Sequence, residues 1–279
     1  MDAFALPFFR TALAASLVLA GIHAYLGFHV VRRGVIFVDL ALAQMAAVGV
    51  ALAVVLGLHE NPVASYLLPL GMTLVGAASF AWLRGSGRDV PLEAFIGIVF
   101  ATAQAAVFLV LEKTPSGPEH LKETLVGTLF TVDPSHIART AVLYAAIGAI
   151  HFLLRKPFFE ITNDAERART RGRRLFVWDF LFYGLFGVVV TSSVQIASVL
   201  LVFGLLVIPA VAGLLASASV GKALAVGWSF GFLACVLGLF GSVQFDWPAA
   251  PTILVSLSLL LAVLGGILRI RKGLGRHPG

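Results

Sequence analysis

Residues 180–221 read FLFYGLFGVVVTSSVQIASVLLVFGLLVIPAVAGLLASASVG, from Phe180 to Gly221, with no Asp, Glu, Lys or Arg between Asp179 and Lys222. As one α-helix this run would be about 60 Å long at 1.5 Å per residue, twice a hydrocarbon core of about 30 Å. It therefore reads as two membrane crossings. Thr191-Ser192-Ser193-Val194-Gln195 supplies the polar break between them. A transmembrane β-barrel is excluded, because its strands would alternate apolar and polar residues with period two.

The same charge spacing recurs on both sides of this run. The uncharged intervals 11–31, 40–59, 61–83, 94–111, 140–154, 223–245 and 247–268 are each bounded by charged residues. Glu60-Asn61-Pro62, Gly85-Ser86-Gly87-Arg88 and Asp246-Trp247-Pro248 punctuate them with turn chemistry. The spans are expected at 11–31, 35–57, 63–83, 91–111, 138–154, 176–192, 196–216, 223–242 and 250–268. The fold class is thus all-α: a polytopic helical membrane protein of eight or nine transmembrane helices, read as one permease domain over 1–279. Residues 1–25 have the charge and apolar stretch of a secretory signal. The apolar run continues to Val31, so the segment is read as a retained first span.

Composition agrees. Of 279 residues, 59% are hydrophobic and 12% charged, about half the charged share of a soluble domain. Intrinsic disorder needs the opposite balance. The formal net charge of +6 does not point to nucleic acid, because the basic residues segregate by loop. Nine alternating spans put sixteen of the twenty Lys and Arg residues on one side. Only Arg10, Lys113, Lys122 and Arg139 fall on the other. By the positive-inside rule the N-terminus is outside and the C-terminus in the cytoplasm.

Two connections are long. The outer one, 112–137, contains an amphipathic stretch, Glu119 to Gly127, that suits a short helix at the membrane face. The inner one, 157–175, carries the basic run 164–174, where Asn163 or Asp164 can cap a short helix. This run reads either as a topogenic basic loop or as a docking site for a cytosolic partner. The single Cys235 can form no disulfide within the chain.

The chain has no phosphate cradle. Ala216 to Ala223, ASASVGKA, lacks the first Gly and the closing Ser or Thr of a P-loop. No zinc-finger spacing or HExxH motif is present either. The chemistry that remains is a set of polar residues within apolar spans, where each is costly. Asp39 lies about four residues into the second span, and Gln44 follows five residues on, ~140° around an ideal helix. Glu93 opens the fourth span and Gln104 sits midway along it. Asp179 and Asp246 lie at span ends, where they can cap or face water. His23, His29 and His151 read as packing or interfacial residues rather than ligands. Carboxylate and amide oxygens suit hard cations, so Asp39, Gln44 and Glu93 are the candidate cation-path residues. Arg32 and Arg33 are candidate partners for Asp39.

Several stretches together resemble the permease subunits of zinc, manganese and iron ABC importers. They are Val30-Val31-Arg32-Arg33-Gly34 through Asp39 to Gly49-Val50-Ala51, Pro91-Leu92-Glu93-Ala94-Phe95-Ile96-Gly97-Ile98, Leu125 to Phe130, Val199 to Ala212, and Phe245 to Thr252. The resemblance covers roughly residues 15–265, in order. It departs at Val38, where the family has Gly, and at Ala43, where a His is expected; Gln44 is nearest to that position. Ala250 replaces a further Gly. Asp164, Ala168 and Gly172 keep the order of the family's acidic, Ala and Gly pattern in the inner loop, and are the implied ATPase-docking residues.

The resemblance implies a permease of the bacterial inner membrane, working as a homodimer among membrane lipid. It implies a cytosolic ATP-binding subunit and an extracytoplasmic solute-binding protein as partners. ATP would be hydrolysed on the partner, so this chain is not itself an enzyme and binds no cofactor. The cargo would be a divalent transition metal: zinc, manganese or iron. The alternatives are an ion-coupled secondary transporter, a permease of this family carrying a chelated or non-metal substrate, and a polytopic membrane enzyme.

Overall fold

A computed structural model describes residues 6–58, 60–86, 90–112 and 129–274. Eleven α-helices run through them: α1 (Pro7–Arg33), α2 (Val38–Val55), α3 (Pro62–Gly85), α4 (Leu92–Leu111), α5 (Pro134–Leu153), α6 (Arg155–Asn163), α7 (Ala165–Thr170), α8 (Leu175–Ser193), α9 (Val199–Ala216), α10 (Val220–Phe245) and α11 (Ala249–Leu274). A 3₁₀ turn, Leu129–Thr131, precedes α5. Among the described residues nine helices are long and apolar enough to cross a membrane, all except α6 and α7. Helices satisfy every backbone polar group within the segment, as a lipid environment requires.

The nine expected spans each meet one of these helices. The fifth begins earlier than expected, at Pro134, and the inner connection is more ordered than a loop, since α6 occupies Arg155–Asn163. Most of 112–137, including the amphipathic stretch at 119–127, lies outside the described residues. The helix starts follow local chemistry. Asn61 caps α3, its side chain accepting from the Val63 and Ala64 N–H groups at 3.0 and 3.2 Å, with Pro62 in the first turn. The Ser198 hydroxyl accepts from Leu201 N–H at 3.2 Å at the head of α9.

The chain divides into two compact units. The first comprises Met1–Val31, Thr128–Ala141 and Ile196–Gly279. In it α9 packs on α10 and α11, which also pack on each other. Gly227 and Gly231 of α10 share a face against Pro209 of α9; a Cβ on Gly227 would lie 2.9 Å from the Pro209 carbonyl oxygen. The small-residue pair therefore lets two backbones approach closely. The Trp228 indole N–H donates to the Gly21 carbonyl of α1 at 2.8 Å.

The second unit comprises Arg32–Gly127 and Val142–Gln195. Here α2 packs against α3, α4 and α8, and α3 against α8. A Cβ on Gly187 of α8 would sit 2.5 Å from Thr73 Cγ2 and 4.0 Å from Leu42 Cδ1, so α2, α3 and α8 meet around that residue. The short helices α6 and α7 fold back on α8.

Candidate functional site

Asp39 lies in the first turn of α2 and is 1% exposed. Both carboxylate oxygens are buried without a hydrogen-bond partner. A first-turn acid is favoured by the helix dipole, but that supplies only part of the stabilisation a buried carboxylate needs. The expected partners are engaged elsewhere. Arg32 Nη1 donates to Asn163 Oδ1 at 3.4 Å, and Arg33 donates to Thr162 and Asp179. Ala43, on nearly the same face of α2 (~40° away), is buried and offers no donor atom.

Glu93 reaches α2 from α4. Its Oε1 accepts the Phe37 N–H at 3.1 Å, at the N-cap of α2, where no α2 side chain caps the helix. Its Oε2 is buried without a partner. Two carboxylates thus converge on the start of α2, one from within it and one from α4. Gln44 is half-buried one and a half turns further on and is not drawn into this pair. Among the described residues, no three His, Cys, Asp or Glu side chains come together in a group that could hold a metal ion. The arrangement gathers carboxylate oxygens, the donor type that suits a hard cation, at one helix start. It is not a closed chelate.

Asp179 neither caps its helix nor faces water. It is fully buried and accepts from Arg33 Nη1 at 2.8 Å and Arg84 Nη1 at 3.3 Å. The Arg33 guanidinium lies 3.9 Å over the Phe182 ring, a cation–π contact, and its Nε donates to Thr162 Oγ1 at 2.9 Å. The pairing joins residues 146 positions apart, and no local pattern signals it. Asp246 does face water, in a left-handed turn at φ 55° that ends α10. His23, His29 and His151 are buried within the fold. His23 Nδ1 bonds the Leu19 carbonyl at 2.7 Å, His29 lies edge-on to Tyr25 and Phe28, and His151 stacks on Phe158.

Each of the three inner-loop residues has a job in shaping an elbow. The Asp164 carboxylate accepts the Arg167 N–H at 2.9 Å and caps α7. Ala168 is fully buried against Ile161 and Leu175, with Ala165 and Trp178 around them. Gly172 adopts φ +84°; its N–H donates to the Arg169 carbonyl and that of Arg173 to the Ala168 carbonyl, a Schellman closure. Glu160 of α6 accepts from Arg173 Nε at 3.1 Å and Arg171 Nη1 at 3.4 Å. The Arg173 guanidinium holds the Glu160 carboxyl below the usual carboxylate range. Arg167, Arg169, Arg171 and Arg174 remain exposed on the outside.

Nine apolar helices among the described residues, long enough to cross a membrane, define a polytopic membrane protein. The chain belongs to the ABC 3 transport family, whose model matches residues 5–266. It is 26% identical over 268 residues to the chelated iron transport system membrane protein YfeD of Yersinia pestis, covering 94% of this chain and 86% of that one. It is 22% identical over 278 residues to the manganese transport system membrane protein MntC of Listeria monocytogenes, covering 95% and 94%. Its fold matches a chain of PsaBC from Streptococcus pneumoniae, solved in complex with Fab, with a TM-score of 0.77 at 22% identity, covering 93% of this chain and 91% of that one. The protein is a permease subunit of an ABC transporter, integral to the bacterial inner membrane.

Proposed function

We propose that this permease imports a divalent transition-metal cation, or a chelate of one, along a path that includes Asp39 and Glu93. The observation that carries the reading is the Asp39 carboxylate, buried with neither oxygen hydrogen-bonded, while Asp179, the other acid of this unit that is fully buried among the described residues, is neutralised by two arginines. An unpaired carboxylate within a span costs on the order of 2–3 kcal/mol at the span centre, less near an end. A passing cation offsets that cost. Relatives named for manganese and chelated iron transport support the cargo class. Gln44 is a secondary oxygen donor further along the path.

The working unit is a homodimer. The face of α4 that carries Glu93 also carries Gly97, Ala101 and Gln104, which fall within ~80° of one another on an ideal helix, with Ala105 at its edge. Ala101, Gln104 and Ala105 are exposed, and a Cβ on Gly97 would meet nothing within 4 Å. Small residues flanking a mid-span amide suit a second helix rather than lipid. A second copy would bring its own Glu93 towards the shared path. ATP is hydrolysed on a cytosolic partner that docks on the α6–α7 elbow shaped by Asp164, Ala168 and Gly172, and an extracytoplasmic solute-binding protein delivers the cargo. No cofactor is bound by this chain.

Asp39→Asn tests the path. It keeps size and hydrogen bonding and removes the charge. The variant should insert and retain its ATPase at wild-type yield, yet lose uptake of ⁵⁴Mn²⁺ and ⁵⁵Fe. Wild-type uptake by Asp39→Asn removes this residue from the path.

A further inference from the structure

Arg33 is in contact with two things at once. Its Nη1 donates to Asp179 at 2.8 Å, and its Nε donates to Thr162 Oγ1 at 2.9 Å, on the last turn of α6. Arg33 and Asp179 are both fully buried, and Thr162 is 4% exposed. Arg84, the basic residue in the last turn of α3, meets the same Asp179 oxygen. Downstream of Arg33 the chain turns through Gly34, at φ +66°, and re-enters a helix at Val38, one residue before Asp39. Thr162 is two residues before Asp164, the cap of α7. A single guanidinium therefore sits between the elbow and the start of the helix that carries the unpaired acid.

We propose that Arg33, fixed by Asp179, is the positioning residue that couples displacement of the α6–α7 elbow to the N-terminal turn of α2. The proposal rests on the reading of the elbow as an ATPase-docking element. The chemistry suits a mechanical link. A buried ion pair resists separation, because parting it strands a charge in a low-dielectric interior. The guanidinium's planar fork fixes the direction of each bond it makes. Asp179 holds one edge of the fork still, and Thr162 pulls on the other. Movement of α6 is then felt at Arg33, and through four residues at Val38 and Asp39. The Thr162 bond transmits the movement and the Asp179 pair supplies the fixed point, so the two are separable by mutation.

Thr162→Val deletes the transmitting bond, preserves volume and leaves the Asp179 pair intact; Thr162→Ser keeps the hydroxyl. Each is made in a Gln44→Cys, Cys235→Ala chain and reconstituted with the ATP-binding subunit in proteoliposomes. The readout is the rate of thiol labelling at position 44, with and without ATP plus vanadate, alongside ATPase co-purification. Thr162→Val should bind the ATPase as the parent does but show a nucleotide-dependent change in labelling about tenfold smaller, the factor expected for one hydrogen bond to a charged donor. Thr162→Ser should restore it. A Thr162→Val chain that responds to nucleotide like its parent overturns the proposal. A Thr162→Ser chain that fails as Thr162→Val does would show that packing, not the bond, matters, and overturns it too. The cargo is tested separately by ⁵⁴Mn²⁺ uptake in the wild-type chain, which keeps Gln44: absent uptake there, with an intact labelling response in the Gln44→Cys parent, overturns the metal reading alone.

Discussion

The Phe37 N–H donates to Glu93 Oε1 at 3.1 Å, so an acid on α4 completes the first turn of α2 from outside that helix. Glu93 consequently has two roles that substitution can separate. Glu93→Gln keeps an acceptor for the Phe37 N–H and removes the charge. It should preserve thermal stability and reduce metal uptake. Glu93→Ala loses both, and should also lower stability by about 1 kcal/mol, the usual value of a helix cap. Melting followed by tryptophan fluorescence, with uptake in parallel, distinguishes the two variants. Equal uptake by Glu93→Gln and wild type would leave Glu93 with the capping role only.

The exposed small face of α4 makes a prediction about assembly. Ala101→Leu places a bulky side chain where Ala101, Gln104 and Ala105 face outward. The monomer should remain as stable as wild type, because Ala101, Gln104 and Ala105 are exposed and none of the described residues covers them. Dimerisation in detergent should weaken by about 1–2 kcal/mol, or roughly tenfold in the dissociation constant. Sedimentation equilibrium checks it, and an unchanged constant assigns the dimer contact to another surface.

Within the elbow, Gly172 and Ala168 respond to substitution for different reasons. Gly172→Ala meets open space but must adopt φ +84°, and should cost about 1 kcal/mol from backbone strain alone. Ala168→Leu overfills the contact with Ile161 and Leu175 and should cost about 1–3 kcal/mol. Both should weaken ATPase retention by disordering the elbow, and Ala168→Leu should do so more. Limited proteolysis after Arg167 and Arg169 reports the disorder directly.

Glu160 supplies a pH dependence. Its carboxyl titrates below the ordinary carboxylate range because Arg173 and Arg171 donate to it. A group whose folded pKa is depressed contributes stability that is present above its unfolded pKa and lost as pH falls through the folded value. The elbow should therefore hold at neutral pH and loosen on the acid side of the ordinary carboxylate range. Glu160→Gln should flatten that acid limb and lower protease resistance at pH 7 only slightly, since the pair is partly exposed. Proteolysis of both proteins between pH 3.5 and 7 measures the difference.

The spans were legible because a membrane helix is announced by what is missing from it. Every interval free of charge over fifteen or more residues became a helix or, at 180–221, two. Asp39 stood out for the complementary reason, as an acid about four residues inside an expected span. Glu93 was legible as a candidate, but its bond to Phe37 was not, since it joins residues 56 positions apart. Asp179 read as a helix-end residue because sequence reports only its neighbours along the chain, and its partners come from the ends of α1 and α3. The inner loop misled in another way. Its arginines drew attention to charge, while the order of α6 comes from Phe158 and Ile161, two apolar residues that look unremarkable beside so many others. The nomination of Asp164, Ala168 and Gly172 located the elbow, but the fold uses Ala168 inwardly rather than on the surface.

The elbow also has a consequence for biogenesis. Helices of nine and six residues are far too short to persist alone in water, and α6 and α7 are held by Ile161 and Ala168 closing on Leu175 at the head of α8. Leu175 is the first residue of α8, so this contact needs α8 to have formed. A chain that has stalled before that point therefore displays an unstructured basic segment rather than a docking surface. On the docking reading proposed above, assembly with a cytosolic subunit should wait until the sixth span is in place, so that the order of synthesis decides when the partner can bind.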